Sequence, residues 1–122
     1  MATKKISLNL SSGQYMSWLF GSRAGFQVTA VLKDDTNIYC NFDNKKPSSN
    51  FSGVLVQITG NNLRLEVDIP QSTNILVAES TGELVTTPGG EVIGYTRAYS
   101  FEDSSDANYS DLILSISTNK KY

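Results

Sequence analysis

Ten residues near the carboxyl end, Glu102-Asp103-Ser104-Ser105-Asp106-Ala107-Asn108-Tyr109-Ser110-Asp111, gather four carboxylates, one carboxamide and several hydroxyls. They hold a third of the chain's 12 acidic residues. Like charges at such density repel one another, so the segment needs either full solvation or a bound cation. Oxygen donors alternate at Asp106, Asn108 and Ser110, a spacing that suits a hard cation, and calcium takes about six to eight oxygens. The segment therefore reads as a calcium site. It is not an EF-hand, because the glycine and the distal bidentate glutamate of that loop are missing. The plainer reading is a solvated turn, since Asp, Ser and Asn are ordinary turn residues; Tyr109 is out of keeping with it. Glycoside hydrolysis would need an acid and a second carboxylate flanking the scissile bond. Glu102, Asp106 and Asp111, with Tyr109 as the one aromatic platform beside them, look more like ion ligands, and no catalysis is expected.

A second candidate is Gly21-Ser22-Arg23-Ala24-Gly25, where two glycines bracket small residues and one arginine. It is either a plain hairpin turn or a loop whose backbone must come close to something.

Composition removes much else. The chain has no histidine, which excludes Ser-His-Asp and Cys-His nucleophiles, histidine bases and histidine-bound zinc. Its one cysteine, Cys40, is expected to be a buried, inert thiol, with an intermolecular disulfide as the alternative. A net charge of −2 and a pI near 5.0 argue against nucleic acid as a partner. The lysine pairs at 4–5, 45–46 and 120–121 form no stripe along the chain. The start of the chain shows neither a secretory signal nor a membrane-spanning run, so membrane insertion is not expected. The location that follows is cytoplasmic, or outside the cell by a route that does not use oxidative folding.

The elements that must position these residues show a period of two. Ile6, Leu8 and Leu10 share a face, as do Val28, Ala30 and Leu32. Leu63, Leu65, Val67 and Ile69 alternate with Arg64, Glu66 and Asp68 in the clearest strand. Tyr15–Phe20, Asn37–Asn41, Val54–Ile58, Ile75–Ala78, Val92–Phe101 and Leu112–Ser117 complete about nine strands. Asp34-Asp35-Thr36-Asn37 reads as a turn, Asp43–Asn50 as a loop and Gly60-Asn61-Asn62 as a tight hairpin. No apolar stripe of period 3.6 appears. The expectation is one all-β domain over residues 1–122, an antiparallel β-sandwich.

The acidic segment resembles the calcium loop of the bacterial fucose/mannose-binding lectins of the LecB type. Their signature is close to Glu-Asp-x-x-Asp-x-Asp-Tyr-Asn-Asp, and Glu102, Asp103, Asp106, Tyr109 and Asp111 match it at identical spacing. Asn108 stands where the family has aspartate, and Ser110 where it has asparagine. The resemblance runs weakly over the whole length. It places Ser22-Arg23-Ala24 on the loop that sets monosaccharide preference.

The resemblance implies a calcium-dependent, non-catalytic lectin that recognises fucose- or mannose-like sugars on glycans. Two calcium ions would be completed by sugar hydroxyls. Glu102, Asp106, Asn108, Ser110 and Asp111 would be side-chain ligands, Gly21 would offer its carbonyl, and the terminal carboxylate on Tyr122 would be a further ligand. Ser22, Arg23, Ala24, Asp103 and Asp106 would contact the sugar. A homodimer or higher homo-oligomer would follow, and linked sites gain avidity. Three departures point the other way: Asn108 removes a charge, Ser110 is a shorter ligand, and Tyr122 replaces a terminal glycine. They open an alternative in which one calcium or both are lost. Arg23 then pairs with the acids, leaving a structural or interaction domain that no longer binds sugar.

Overall fold

A computed structural model describes residues 1–46, 52–103 and 109–119. Ten strands run through them: β1 (Ala2–Ser7), β2 (Tyr15–Gly21), β3 (Thr29–Lys33), β4 (Ile38–Asp43), β5 (Ser52–Gln57), β6 (Arg64–Ile69), β7 (Leu76–Glu79), β8 (Glu83–Thr86), β9 (Val92–Glu102) and β10 (Leu112–Asn119). The smaller sheet has the order β1-β6-β3-β4. The larger runs β5-β2-β10-β9-β7, with β8 also paired to β9. Every pairing is antiparallel. No helix among the described residues is long and apolar enough to cross a membrane. The all-β antiparallel sandwich expected from the sequence is the architecture found.

Alternation explains the core. In β6 the even-spaced Leu65, Val67 and Ile69 are fully buried while Arg64, Glu66 and Asp68 are half-buried. Ala30 and Leu32 of β3 lie on the same inner face, opposite Val67 and Leu65. The larger sheet answers with Met16, Trp18 and Phe20 of β2, Leu114 and Ile116 of β10, and Tyr99 and Phe101 of β9. Phe20 stacks on Phe42 across the two sheets, their centroids 5.1 Å apart. Cys40 is buried as expected, and burial pushes its thiol pKa up against a smaller opposing influence of the Trp18 indole.

Four details differ from the expected pattern. Ile6-Leu8-Leu10 is not one strand: β1 ends at Ser7, and Asn9 takes a left-handed φ of 52° between the buried Leu8 and Leu10. Ile38, two residues before Cys40 and so expected by the period of two on the same face, does not share its burial. A register shift between Leu32 and Lys33 pairs Lys33 with Ile38 and leaves Ile38 exposed. β8 is additional, because all four of its residues are exposed and it carries no burial period to read. Gly60-Asn61-Asn62 is not a hairpin, since β5 belongs to the larger sheet and β6 to the smaller.

The reason for that glycine lies 26 residues earlier. The Gly60 N–H donates to Asp34 Oδ2 at 3.0 Å, and a Cβ at Gly60 would meet Asp34 Oδ1 at 2.3 Å. Asp34 is buried and also accepts from the backbone N–H of Thr36 and Asn37, from the Asn37 amide and from the Tyr39 hydroxyl. One carboxylate thus ties the β3–β4 turn to the crossover between the sheets.

Candidate functional site

Glu102 closes β9, and Asp111 stands just before β10. The two strands are neighbours, with Leu112 opposite Phe101, and the Asp111 N–H donates to the Phe101 carbonyl at 3.2 Å. The pairing therefore holds the two ends of the acidic segment side by side. Oxygens from Glu102, Asp103 and Asp111 all lie within 4.8 Å of one another. Glu102 is fully buried and Asp111 is buried at 8% exposure.

Backbone donors orient these acids. The Asp103 N–H lies 2.9 Å from both Glu102 Oε1 and Asp111 Oδ2. The Tyr109 N–H donates to Glu102 Oε2 at 3.1 Å, from a residue with a left-handed φ of 50°. Each carboxylate oxygen has two lone pairs, so a bond from one N–H orients an acid without in itself excluding a cation. Ser72, buried between β6 and β7, shares its one hydroxyl proton between the Asn74 carbonyl at 2.6 Å and the Asp103 carbonyl at 2.8 Å, which sets the start of the segment against that turn.

The Ser22–Ala24 loop lies against the same place. It is not a hairpin, because β2 and β3 belong to different sheets. The Arg23 N–H donates to the Ser110 carbonyl at 2.9 Å. The Ser22 hydroxyl donates to the Asp111 carbonyl at 2.6 Å and accepts from the Ala24 N–H at 3.2 Å and the Asn44 amide at 3.4 Å. A hydroxyl has one proton and two lone pairs, so Ser22 is committed inside the protein. Asn44 goes further: its amide donates to the Phe26 carbonyl at 2.9 Å and accepts from the Val28 N–H at 2.8 Å. Sequence reasoning misses Ser72 and Asn44. Each is a polar residue in a turn, and nothing local marks its distant partner.

Of the expected ligands, the structure brings together Glu102, Asp111 and the backbone of Ser110, with Asp103 beside them and Gly21 at the end of β2, opposite Ile113. Asp106, Asn108 and Tyr122 lie outside the described residues. The Arg23 side chain is exposed and enters no salt bridge among the described residues. The pairing of Arg23 with the acids, raised by the sequence, is therefore not found there.

Three carboxylates at this spacing suit a hard divalent cation. They offer up to six oxygens, and a cation offsets a repulsion that is strong where two of the three are withdrawn from water. Glu102, Asp103 and Asp111 are the residues that would hold it.

No protein-family model and no curated protein sequence matches the chain. Solved structures do. A high-affinity mannose-binding lectin of Ralstonia solanacearum superposes with a TM-score of 0.57 at 13% identity, covering 93% of each chain. The C-terminal domain of the BC2L-C lectin from Burkholderia cenocepacia gives 0.61 at 15% identity, covering 95% of this chain and 97% of that one. The Chromobacterium violaceum lectin CV2L, solved in complex with alpha-methyl-fucoside, gives 0.52 at 14% identity over 93% of each. The chain has the fold of these bacterial lectins along nearly its whole length.

Proposed function

We propose that the protein is a non-catalytic, calcium-dependent carbohydrate-binding domain that recognises fucose- or mannose-like sugars on glycans. The observation that carries this reading is the convergence of Glu102, Asp103 and Asp111 within 4.8 Å, bound through the backbone of Ser110 and Asp111 to the loop of Ser22, Arg23 and Ala24. The fold shared with sugar-binding lectins supports it. Calcium, when bound, supplies a Lewis-acidic centre that vicinal sugar hydroxyls can coordinate in place of water. Asp103 and the outer edge of the carboxylate cluster accept the hydroxyl protons. Arg23, exposed and tied by its N–H to Ser110, contributes its guanidinium to glycan contact, while Ser22 holds the loop.

One monosaccharide site binds weakly, and linked copies raise avidity by ~10²–10⁴. Self-association is part of the proposal. Leu19, Leu55 and Ile113 are exposed on β2, β5 and β10 of the larger sheet, on a surface where serines alternate along β10. That surface can be covered by a second copy at little desolvation cost.

The test is a melting scan of chelator-stripped protein, alone, with millimolar calcium, and with calcium plus methyl fucoside or methyl mannoside. A rise with calcium that grows with one sugar is expected. A rise with calcium and none with any sugar would reduce the site to a structural ion site. No rise with calcium would end the reading.

A further inference from the structure

The open edge of the sandwich, where β1 faces β7, holds a cleft of about 390 Å³. Charged residues point into it from what would otherwise be core positions. Lys4 pairs with the buried Val67, so it lies on the inner face of its sheet. Arg97 pairs with the buried Ile116 and Glu79 with the buried Tyr99, which puts both on the inner face of the other sheet. Lys4, Glu79 and Arg97 all line the cleft, together with Asn9 and, as an apolar wall, Val77. Lys5 borders it too but sits opposite Glu66, whose carboxylate is kept ionised chiefly by the Arg64 hydrogen bond, with Lys33 and Lys5 adding to it.

Arg97 is the unusual member. Its guanidinium carbon lies 5.2 Å from the Tyr95 ring centroid, in cation–π range. Its Nε is shielded from solvent with no hydrogen-bond partner. Gly82, at φ 86°, covers that atom so closely that a Cβ would sit 3.3 Å from it. Arg97 and Lys4 enter no salt bridge among the described residues. An inward lysine on an edge strand also deters strand pairing between molecules. That role does not require an arginine fixed against the Tyr95 ring and the Tyr99 hydroxyl; with Nε sealed under Gly82, only the outer N–H groups of its guanidinium can meet a ligand in the cleft.

A planar, immobilised guanidinium with a mobile ammonium beside it matches a carboxylate, which Arg binds in bidentate fashion. Glu79 adds the selectivity. It repels a bare anion but accepts a hydroxyl proton, and Asn9 offers further hydrogen bonds. We propose that this cleft binds a hydroxylated carboxylic acid, of which a uronic acid is the simplest sugar form. Arg97 and Lys4 take the carboxylate, and Glu79 and Asn9 take the hydroxyls. Arg97 lies five residues before Glu102 on β9, roughly 17 Å along the strand. The proposal is therefore independent of the calcium reading.

The experiment is an NMR titration in low salt with chelator present, so that no calcium site contributes. The probes are glucuronate, glucose, acetate and glucose 6-phosphate. Saturable shifts with glucuronate at residues 4–9 and at Arg97 are expected, with glucose and acetate at least tenfold weaker. Lys4→Ser, on an exposed edge position, should stay folded and weaken glucuronate at least fivefold. Glu79→Gln should narrow the gap between glucuronate and acetate. The idea fails if glucuronate leaves these residues unmoved, if Lys4→Ser binds as the parent does, or if acetate matches glucuronate. Tighter binding of glucose 6-phosphate than of glucuronate would overturn the carboxylate assignment.

Discussion

The hydroxyl of Ser22 donates to the main-chain carbonyl of Asp111 at 2.6 Å, across 89 residues of sequence. That bond, with the one from the Arg23 N–H to Ser110, makes the loop after β2 and the strand entry before β10 a single unit. Ser22→Ala leaves a part-buried carbonyl without its donor and should cost about 1 kcal/mol. Asn44→Ala removes the amide that bridges Ser22 and Phe26. Because both act on one loop, the double variant should lose less than the sum of the two. Urea midpoints for the four proteins give the coupling, and strict additivity would show that the loop is not held as a unit.

The acidic cluster makes a second prediction. Glu102→Gln removes a fully buried charge while keeping the shape of the side chain, but its single amide oxygen can accept from only one of the two N–H groups, Asp103 and Tyr109, that the carboxylate serves. If calcium is the partner, the stabilisation it gives, about 2.7 kcal/mol at a hundred times its dissociation constant, should vanish in this variant. The metal-free stability should change little, because relief of one of three crowded charges offsets the loss of one accepted hydrogen bond. Melting scans with and without chelator measure both, and a variant that keeps the full calcium shift would clear Glu102 of the role.

Asp34 sets an acid limit on the fold. Burial alone would raise its carboxyl pKa, but the Tyr39 hydroxyl, the N–H groups of Thr36 and Asn37 and the Asn37 amide outweigh burial and hold it well below the usual carboxylate range. A depressed pKa means that the contribution is complete above the unfolded value, about 3.9, and is lost as pH falls toward the folded one. Stability should therefore decline below about pH 4. Asp34→Asn should be destabilised at pH 7, with its deficit shrinking as the parent loses its own advantage in acid. Denaturant curves at pH 7, 4 and 2.5 would show the two converging; parallel curves would exclude the carboxylate as the source.

Two glycines predict opposite outcomes. A Cβ on Gly94 would meet the Thr118 carbonyl oxygen at 2.1 Å, and that atom belongs to the paired strand β10. Backbone cannot yield there without opening the β9–β10 ladder, so Gly94→Ala should cost about 1–3 kcal/mol. Gly89, in the β8–β9 turn, has only Thr87 Oγ1 nearby, at 3.8 Å. Gly89→Ala should be within about 0.5 kcal/mol of the parent. Equal melting temperatures for the two variants would contradict the register.

Much of the fold is legible in the amino-acid sequence. The β6 alternation of Leu65, Val67 and Ile69 with charged neighbours reports burial on one face directly, so strand and face are both readable. β8 is not, because Glu83 to Thr86 is exposed throughout and leaves no periodic signal. Which sheet a strand joins is also hidden. Gly60 has the look of a hairpin residue because turn glycines are common, while its actual constraint is the Asp34 carboxylate on another loop. The acidic cluster is visible as density of charge. Its seating against Ser22 depends on pairing between distant strands, and the resemblance to a known loop, not any local pattern, points there.

The position of β10 has a consequence for how the molecule is made. The tenth strand is inserted between β2 and β9 and pairs with both. During synthesis β2 is exposed long before β10 exists, so the larger sheet cannot zip up until the chain has emerged through Asn119. At ~5–20 residues per second, the roughly one hundred residues after β2 take seconds to appear, during which Met16, Trp18 and Phe20 lack their final neighbours. Sheet closure is then one late, cooperative event of high contact order. The acidic cluster and the Ser22 loop are brought together in that same step.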